Sequence, residues 1–386
     1  MSPTTSSLTM SLILTPSATS ASILSLVVSA LSYILLYVAS AVFPLFDKSP
    51  LLVSLSPTLN PLLRWDSFHF FHIAQSGYLY EHEWAFFPAT PALVRYLHPG
   101  GLPLMLVLAA SPSLAYMTVV ISLLSSSPVT MRLAPYSEPF FTYLSYRGML
   151  CCARKKWLLA TVLFTLASSF RSNGFLLSGY ILWGQVMQPI LTSGKVALSA
   201  LVTAIISTSI VFVPFMYHNY TAYTVFCKFA VDETPSWCAD TLPCIYTYSQ
   251  SRYWNVGFLR YWSFSQVPNF VIASPLFLLI ANFAIAYIRY HLAGPKPFTA
   301  TCHMSKPFYQ VSLFPYVVHS VVLSLMLLLS AHSQIILRLA PSVPIVYWAA
   351  AHLVAKWPTI GRQWVTWSAV WGIVSITLWS AFLPPA

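Results

Sequence analysis

Asp66 stands in the run Arg64-Trp65-Asp66-Ser67-Phe68-His69-Phe70-Phe71-His72, a carboxylate set among aromatic rings and two histidines. Partly apolar surroundings disfavour the charged form of an Asp, raise its pKa and make it a better proton acceptor. On a helix, His69 would share its face, three positions on. The same carboxylate could instead cap the first turn of an interfacial helix, and local chemistry leaves the two readings level.

Other constellations carry similar pairs of readings. Tyr136-Ser137-Glu138-Pro139 places a carboxylate just before a helix, either to cap it or to orient a sugar hydroxyl. In Arg171-Ser172-Asn173-Gly174, Arg171 and Asn173 have the donors to clamp a phosphate, while a Gly-terminated helix with a terminal cation is the structural alternative. The segment from Tyr253, Trp254 and Asn255 to Trp262 is amphipathic and aromatic, suited to lie flat on a membrane face under a lipid-linked substrate or simply to anchor its loop. The isolated His332 and Arg338 could contact a phosphate, although a lone His at a helix end is usually interfacial. There is no P-loop, no dinucleotide-binding glycine fingerprint and no clustered His/Cys metal site. A glycosyl donor would therefore have to arrive through the membrane, because no soluble nucleotide-sugar domain is present.

These groups sit in a chain of 386 residues that is 57% hydrophobic and only 7% charged, with a mean hydropathy of +0.70. An average soluble domain carries about 25% charged residues, so this chain cannot cover itself with polar surface. It does hold many apolar stretches of bilayer-spanning length. The first, 23–42, lacks a basic leader and a small-residue cleavage pattern, and reads as a retained helix. The net charge of +11 is scattered between apolar segments and forms no aromatic-interleaved stripe, which argues against nucleic acid. The 13 Trp and other rings suit interfacial belts.

Lys and Arg gather at 154–156, at Lys195, over 289–306, and at Lys356 and Arg362; the positive-inside rule assigns these to the cytosol. Helices are then expected over 139–150, 157–170, 175–191, 196–217, 269–290, 311–331, 344–355 and 364–383. The fold class that follows is all-α, a polytopic transmembrane protein of about 8–10 membrane helices. Residues 1–22 read as a disordered Ser/Thr-rich tail and 23–386 as one membrane domain, with a first luminal loop over 43–100 and a second over 218–268. Residues 101–130 should cross twice, yet about 30 residues barely hold two spans of about 15 to 20.

All eight acidic residues (Asp47, Asp66, Glu81, Glu83, Glu138, Asp232, Glu233 and Asp240) fall on the luminal face of this topology, which points to a polar site there. For Asp232, Glu233 and Asp240 a solvated loop is the preferred reading. The oxidising lumen would permit one disulfide, with Cys227 and Cys238 the first choice, and an unpaired structural thiol is the equal alternative. The sequon at Asn219 lies close enough to the membrane to escape glycosylation.

An ordered set of blocks resembles the GPI mannosyltransferase 2 family and, more broadly, the GT-C multi-spanning glycosyltransferases. The blocks run from Trp65-Asp66 through Ile73-Ala74, Gly77-Tyr78-Leu79-Tyr80-Glu81-His82 and Ala85-Phe86-Phe87-Pro88 to Tyr136-Ser137-Glu138 and Arg171-Ser172-Asn173-Gly174. They continue with Ala222-Tyr223-Thr224, Phe226-Cys227, Trp237-Cys238, Tyr253 to Leu259, Gln266 to Phe270, Pro344 and Tyr347-Trp348. The resemblance lapses between Gly101 and Arg132, where this chain is shorter. It implies inverting α-1,6-mannosyl transfer from dolichyl-phosphate mannose to a one-mannose glycosylphosphatidylinositol precursor, in the endoplasmic reticulum lumen. It further implies Asp66 as general base, with Arg171, Asn173 and Arg338 stabilising the phosphate leaving group. Trp65, Tyr253, Trp254 and Asn255 would shape the sugar and lipid surfaces, and Glu81 and Glu138 would bind acceptor hydroxyls. No cofactor is implied beyond the donor, metal dependence stays open, and in fungi a small accessory membrane subunit is an implied partner. Two other classes remain: a lipid or sugar transporter or scramblase, which would need polar groups at mid-membrane depth that the sequence mostly lacks, and a catalytically inert subunit.

Overall fold

The computed structural model describes residues 18–49, 60–97, 134, 136–228, 234–292 and 306–383, all connected by helices and turns without a strand among the described residues. The expected crossings within 101–130, the pair Asp232 and Glu233, and most of the tail lie outside the described residues. The chain is an all-α polytopic membrane protein. Helix α1 spans Ala18–Val42, α2 Asp66–Ser76, α3 Ala89–Leu97, α4 Glu138–Ala153 and α5 Trp157–Phe170. After a 3-10 turn at Ser172–Leu177 come α6 (Ser178–Leu182) and α7 (Gln188–Ser193), followed by α8 (Leu198–Tyr223) and α9 (Ile245–Trp254). The second half holds α10 (Val267–Leu292), α11 (Phe314–Ser330), α12 (Ile335–Leu339), α13 (Pro344–Lys356) and α14 (Pro358–Ser380).

Among the described residues three stretches, Leu198–Lys228, Phe264–Leu292 and Val311–Ser330, are long and apolar enough to cross a membrane by length and composition. Two departures from the expected helices matter for the site. The helix expected over 175–191 is broken into 3-10, α and π turns, the π turn at Trp183–Met187 joining α6 to α7. The helix expected over 344–355 is the longer arm of a span bent by 88° between Ile335–Ser342 and Pro344–Lys356. Pro344 lacks an N–H and sits in the first turn of α13, so the chain can change direction there without forfeiting a bond. Breaks of this kind are tolerated at membrane depth where protein covers the freed backbone; the hinge residues Ala340, Pro341, Ser342 and Val343 are all buried.

Two apolar cores result. One joins α10, α11, α12 and α13 with Trp364 and Trp371 of α14. The other joins α4, α5 and α6 with Val211 of α8. A smaller cluster packs Leu36 of α1 and Trp379 of α14 with Tyr136 and Leu62, and Trp65 packs against it.

The loop expected over 218–268 begins later than its sequence suggests, because α8 continues to Tyr223 and a π turn carries the helix to Lys228. Cys227 and Cys238 are disulfide-bonded, with Cα atoms 5.6 Å apart, and Cys244 stays a thiol beside Asn219 Oδ1. Asn219 is buried: its amide donates to the Phe215 carbonyl at 2.8 Å and accepts from the Tyr246 N–H at 3.1 Å. A glycosylated Asn needs that amide nitrogen free and facing solvent. Asn219 should therefore carry no glycan, and treatment of the expressed chain with an N-glycosidase should leave its gel mobility unchanged at this sequon.

Candidate active site

The start of α2 is held by a knot of bonds to its own preceding turn. Ser67 Oγ donates to the Leu62 carbonyl at 3.1 Å and receives the Arg64 N–H at 2.7 Å. Arg64 is buried and has no carboxylate partner among the described residues; its Nη1 donates to the carbonyls of Asn60 and Leu63 at 2.6 and 2.8 Å. Burial alone pushes its pKa down to about 10, so it stays a cation near neutral pH and fastens the turn. Trp65 then adopts φ 52°, a conformation that costs a non-glycine residue about 1–3 kcal/mol. The far end of the chain holds it there: its indole N–H donates to the Leu383 carbonyl at 3.2 Å and its ring lies 5.3 Å from that of Phe382.

This turn releases Asp66 from capping. Trp65 occupies the cap position and no side chain caps the helix, while the Asp66 N–H donates to the buried Tyr136 hydroxyl at 3.0 Å. The carboxylate points to α12, where Arg338 Nη2 meets Oδ2 at 2.5 Å. The apolar surroundings expected of Asp66 are thus replaced by an ion pair. Its Oδ1 has no partner among the described residues, and the side chain keeps 26% of its exposure.

Arg338 is delivered by the short arm of the bent span. Its Nε and Nη2 also donate to Glu138 Oε1, at 3.1 and 3.0 Å, and its guanidinium lies over the Tyr136 ring, 5.3 Å from the centroid. Nη1 has no partner among the described residues. Glu138, 6% exposed at its side chain, receives Arg171 Nη1 on the same oxygen. Arg171 in turn donates to Ser137 Oγ at 3.1 Å and through Nε to Asn173 Oδ1 at 3.4 Å. The result is an alternating chain, Asp66, Arg338, Glu138, Arg171, in which each charge has an opposite neighbour.

Local sequence explains how Arg171 arrives. Helix α5 stops at Phe170, and Arg171 itself is extended, so the chain turns away from the helix before Gly174 and not at it. Gly174 has another duty: a Cβ there would lie 2.5 Å from the Ser168 backbone, so only glycine lets the turn fold back on α5.

The remaining expected site residues form a second group. Glu81 accepts from the Trp237 indole at 2.9 Å and the Tyr253 hydroxyl at 3.0 Å, so it ties the 77–86 loop to α9. Burial and the bond to Glu81 push the Tyr253 hydroxyl up to about 12, which keeps it a donor. Trp254 meets Phe86 edge-on at 5.8 Å, and Phe86 stacks on His69 at 4.8 Å. Burial lowers the His69 pKa, with the Asp66 charge opposing, so the ring packs as a neutral aromatic. Asn255 is exposed and left-handed at φ 53°, and its N–H bonds the Gln250 carbonyl to terminate α9. The segment beyond it is no flat helix. Gly257 and Leu259 N–H groups bond the Ser330 and Leu329 carbonyls at 2.9 and 2.7 Å, and His332 Nε2 sits 2.6 Å from the Trp254 carbonyl.

Two residues carry more than their sequence context suggested. Tyr136, fully buried, touches Asp66 and Arg338 at once; its signal in the sequence was its place in the Tyr136-Ser137-Glu138 block. Glu83 looked like one acid among eight, but it is buried, pairs with His72 Nδ1 at 2.5 Å and receives the Leu79 and Tyr80 N–H groups at 2.8 and 3.0 Å. Among the described residues no group of three or more His, Cys, Asp or Glu side chains could hold a metal ion.

Comparison with known proteins gives this arrangement a family. GPI mannosyltransferase 2 of Cryptococcus neoformans is 30% identical over 90% of this chain and 93% of its own length. The human GPI alpha-1,6-mannosyltransferase 2 is 32% identical over 76% of this chain and 73% of its own, and the Yarrowia lipolytica GPI mannosyltransferase 2 is 29% identical over 88% and 91%. No solved structure matches the chain. The mannosyltransferase (PIG-V) family model matches residues 14–105 and 103–386, nearly the whole sequence, and the chain belongs to that family.

Proposed function

We propose that the chain transfers the second mannose of a glycosylphosphatidylinositol precursor, through an α-1,6 bond, from dolichyl-phosphate mannose, on the luminal face of the endoplasmic reticulum membrane. The observation that carries this reading is the pairing of Asp66 with Arg338. One carboxylate oxygen is held by the guanidinium while the other is open, and the guanidinium keeps Nη1 open as well. A base and a phosphate-binding cation are thereby fixed side by side.

In the proposed reaction Asp66 Oδ1 takes the proton of the acceptor mannose 6-hydroxyl, whose oxygen forms the new bond to the donor anomeric carbon as the bond to phosphate breaks. In-line approach inverts the anomeric configuration, and the departing dolichyl phosphate carries the electron pair away without needing a proton. Arg338 Nη1, with Arg171 behind it, meets the growing negative charge in a water-poor setting where such a contact is worth most. Glu138 keeps both arginines in place, and Asn173 holds Arg171. Trp65 walls the site on the C-terminal side. Tyr253, positioned by Glu81, and Trp254 offer aromatic faces toward the acceptor or its lipid, with Asn255 ending the helix that carries them.

Replacing Asp66 with Asn should lower mannose transfer by about 10²- to 10⁴-fold with the protein amount unchanged. The assay is expression in cells lacking the second GPI mannosyltransferase, followed by analysis of the accumulated precursor. Normal transfer by the variant would remove Asp66 from the role of general base. Arg338→Lys keeps the charge but loses the planar fork, so transfer should fall at least about tenfold. Equal activity of Lys and Arg at 338 would mean that charge alone suffices.

Glu138→Gln acts differently, because it leaves two partly buried guanidiniums without their shared anion. Such a loss costs about 3–5 kcal/mol. Thermal unfolding of the purified variants should rank Glu138→Gln well below Asp66→Asn in stability, and a reversed order would remove Glu138 from its holding role.

A further inference from the structure

At the end of the bundle away from Asp66, α10, α13, the first turns of α14 and the 306–309 segment enclose an open groove of about 1040 Å³. Helix α13 runs from beside the bent hinge to Lys356, which places the groove mouth about 20 Å from the ion-pair chain at 1.5 Å per residue. The walls are apolar, with Leu279, Phe283 and Ala286 from α10, Leu353 from α13, and Ile360 and Trp364 from α14. Tyr309 and His352, joined by a hydrogen bond between the hydroxyl and Nε2 at 2.9 Å, also line it. The groove volume lies at the upper end of the range of small-molecule sites, about 300–1,000 Å³.

Arg289 and Lys356 stand at the mouth of this groove, both exposed. The sequence contains no Asp or Glu after Asp240, so the stretch that builds the groove, 275–364, has no side-chain carboxylate of its own to offer them. The ion pairs found among the described residues all lie elsewhere. Lys356 rests its ammonium 4.5 Å from the Trp357 ring centroid, the only neighbour it is seen to use among the described residues, and such a contact leaves its charge uncompensated. An apolar channel with two uncompensated cations at one end matches an amphiphile with an acyl chain and an anionic head.

We propose that this groove holds an anionic phospholipid, its acyl chain against Phe283, Ala286 and Trp364 and its phosphate between Arg289 and Lys356. The site is independent of the mannosyl-transfer reading, since it shares no residue with the Asp66 chain. Long cationic side chains at a helix end reach the headgroup level while their stems cover apolar surface, as this geometry requires.

The test uses the full chain purified in detergent and native mass spectrometry with added dioleoyl phosphatidic acid or dioleoyl phosphatidylcholine. The unmodified chain should retain the anionic lipid in preference to the zwitterionic one, by about fivefold from one cation and up to about thirtyfold from two. Arg289→Gln combined with Lys356→Gln should bring the ratio to one; both positions are exposed, so the variant should fold. Ala286→Trp should fill the groove and reduce retention of both lipids, and excess inorganic phosphate should not displace the bound lipid. A preference that survives the double Gln variant would overturn the proposal, as would equal retention of the two lipids by the unmodified chain. Displacement by inorganic phosphate would also overturn it, as would a dimer that Ala286→Trp dissolves.

Discussion

Glu138 is a buried carboxylate that binds two arginines at one oxygen, and most of the site geometry depends on that contact. Burying an ion is expensive unless it is paired and hydrogen-bonded, so Glu138 can sit at the head of α4 only because Arg338 and Arg171 come to it. The converse also holds. Arg338 lies on a five-residue helix that could not order itself in isolation, and its double contact with Glu138 helps fix the 88° bend that presents it. Asp66 completes the chain of charges, with one oxygen committed and the other without a partner among the described residues, across a sequence separation of 272 residues.

Around this chain of charges the aromatic residues act as fasteners between segments remote in sequence. Trp65 in its positive-φ turn is held by Phe382 and Leu383, so the C-terminal end of the chain takes part in placing Asp66. Glu81 joins Trp237 to Tyr253, and the 257–262 segment is bonded to the end of α11 by backbone groups and by the Trp262 indole to the Leu328 carbonyl. The loops above the membrane helices are therefore braced against them and against one another. A transferase site needs that rigidity, because small misplacements of reacting atoms cost large factors in rate.

The two ends of the bundle also differ in charge, for a reason visible in the acid distribution. Every carboxylate lies between Asp47 and Asp240, and those of Asp66 and Glu138 take up Arg338 and Arg171 at the site end. Away from that site, Arg289 and Lys356 form no ion pair among the described residues, and both line an open, largely apolar groove. One molecule thus combines a neutralised polar centre with an unneutralised cationic rim.

Apolar length, the scarcity of charge and the scatter of Lys and Arg were enough to read an all-α membrane protein, because helix formation and bilayer burial depend on local composition. The placement of the acids on one face of the expected topology, with the family resemblance, pointed to Asp66, Glu81 and Glu138, and Cys227 with Cys238 was the first pairing to consider. Only the folded chain decided that Asp66 pairs with Arg338 in place of capping α2, that Glu138 holds arginines, and that Tyr136 touches both ends of that pair. It also decided that Glu81 and Asn255 brace and terminate elements at the rim. The physical reason is range. Periodicity and composition report contacts within a few turns of helix, whereas the ion pairs here join residues 33, 200 and 272 positions apart, and their existence depends on where a proline-marked bend turns one short helix.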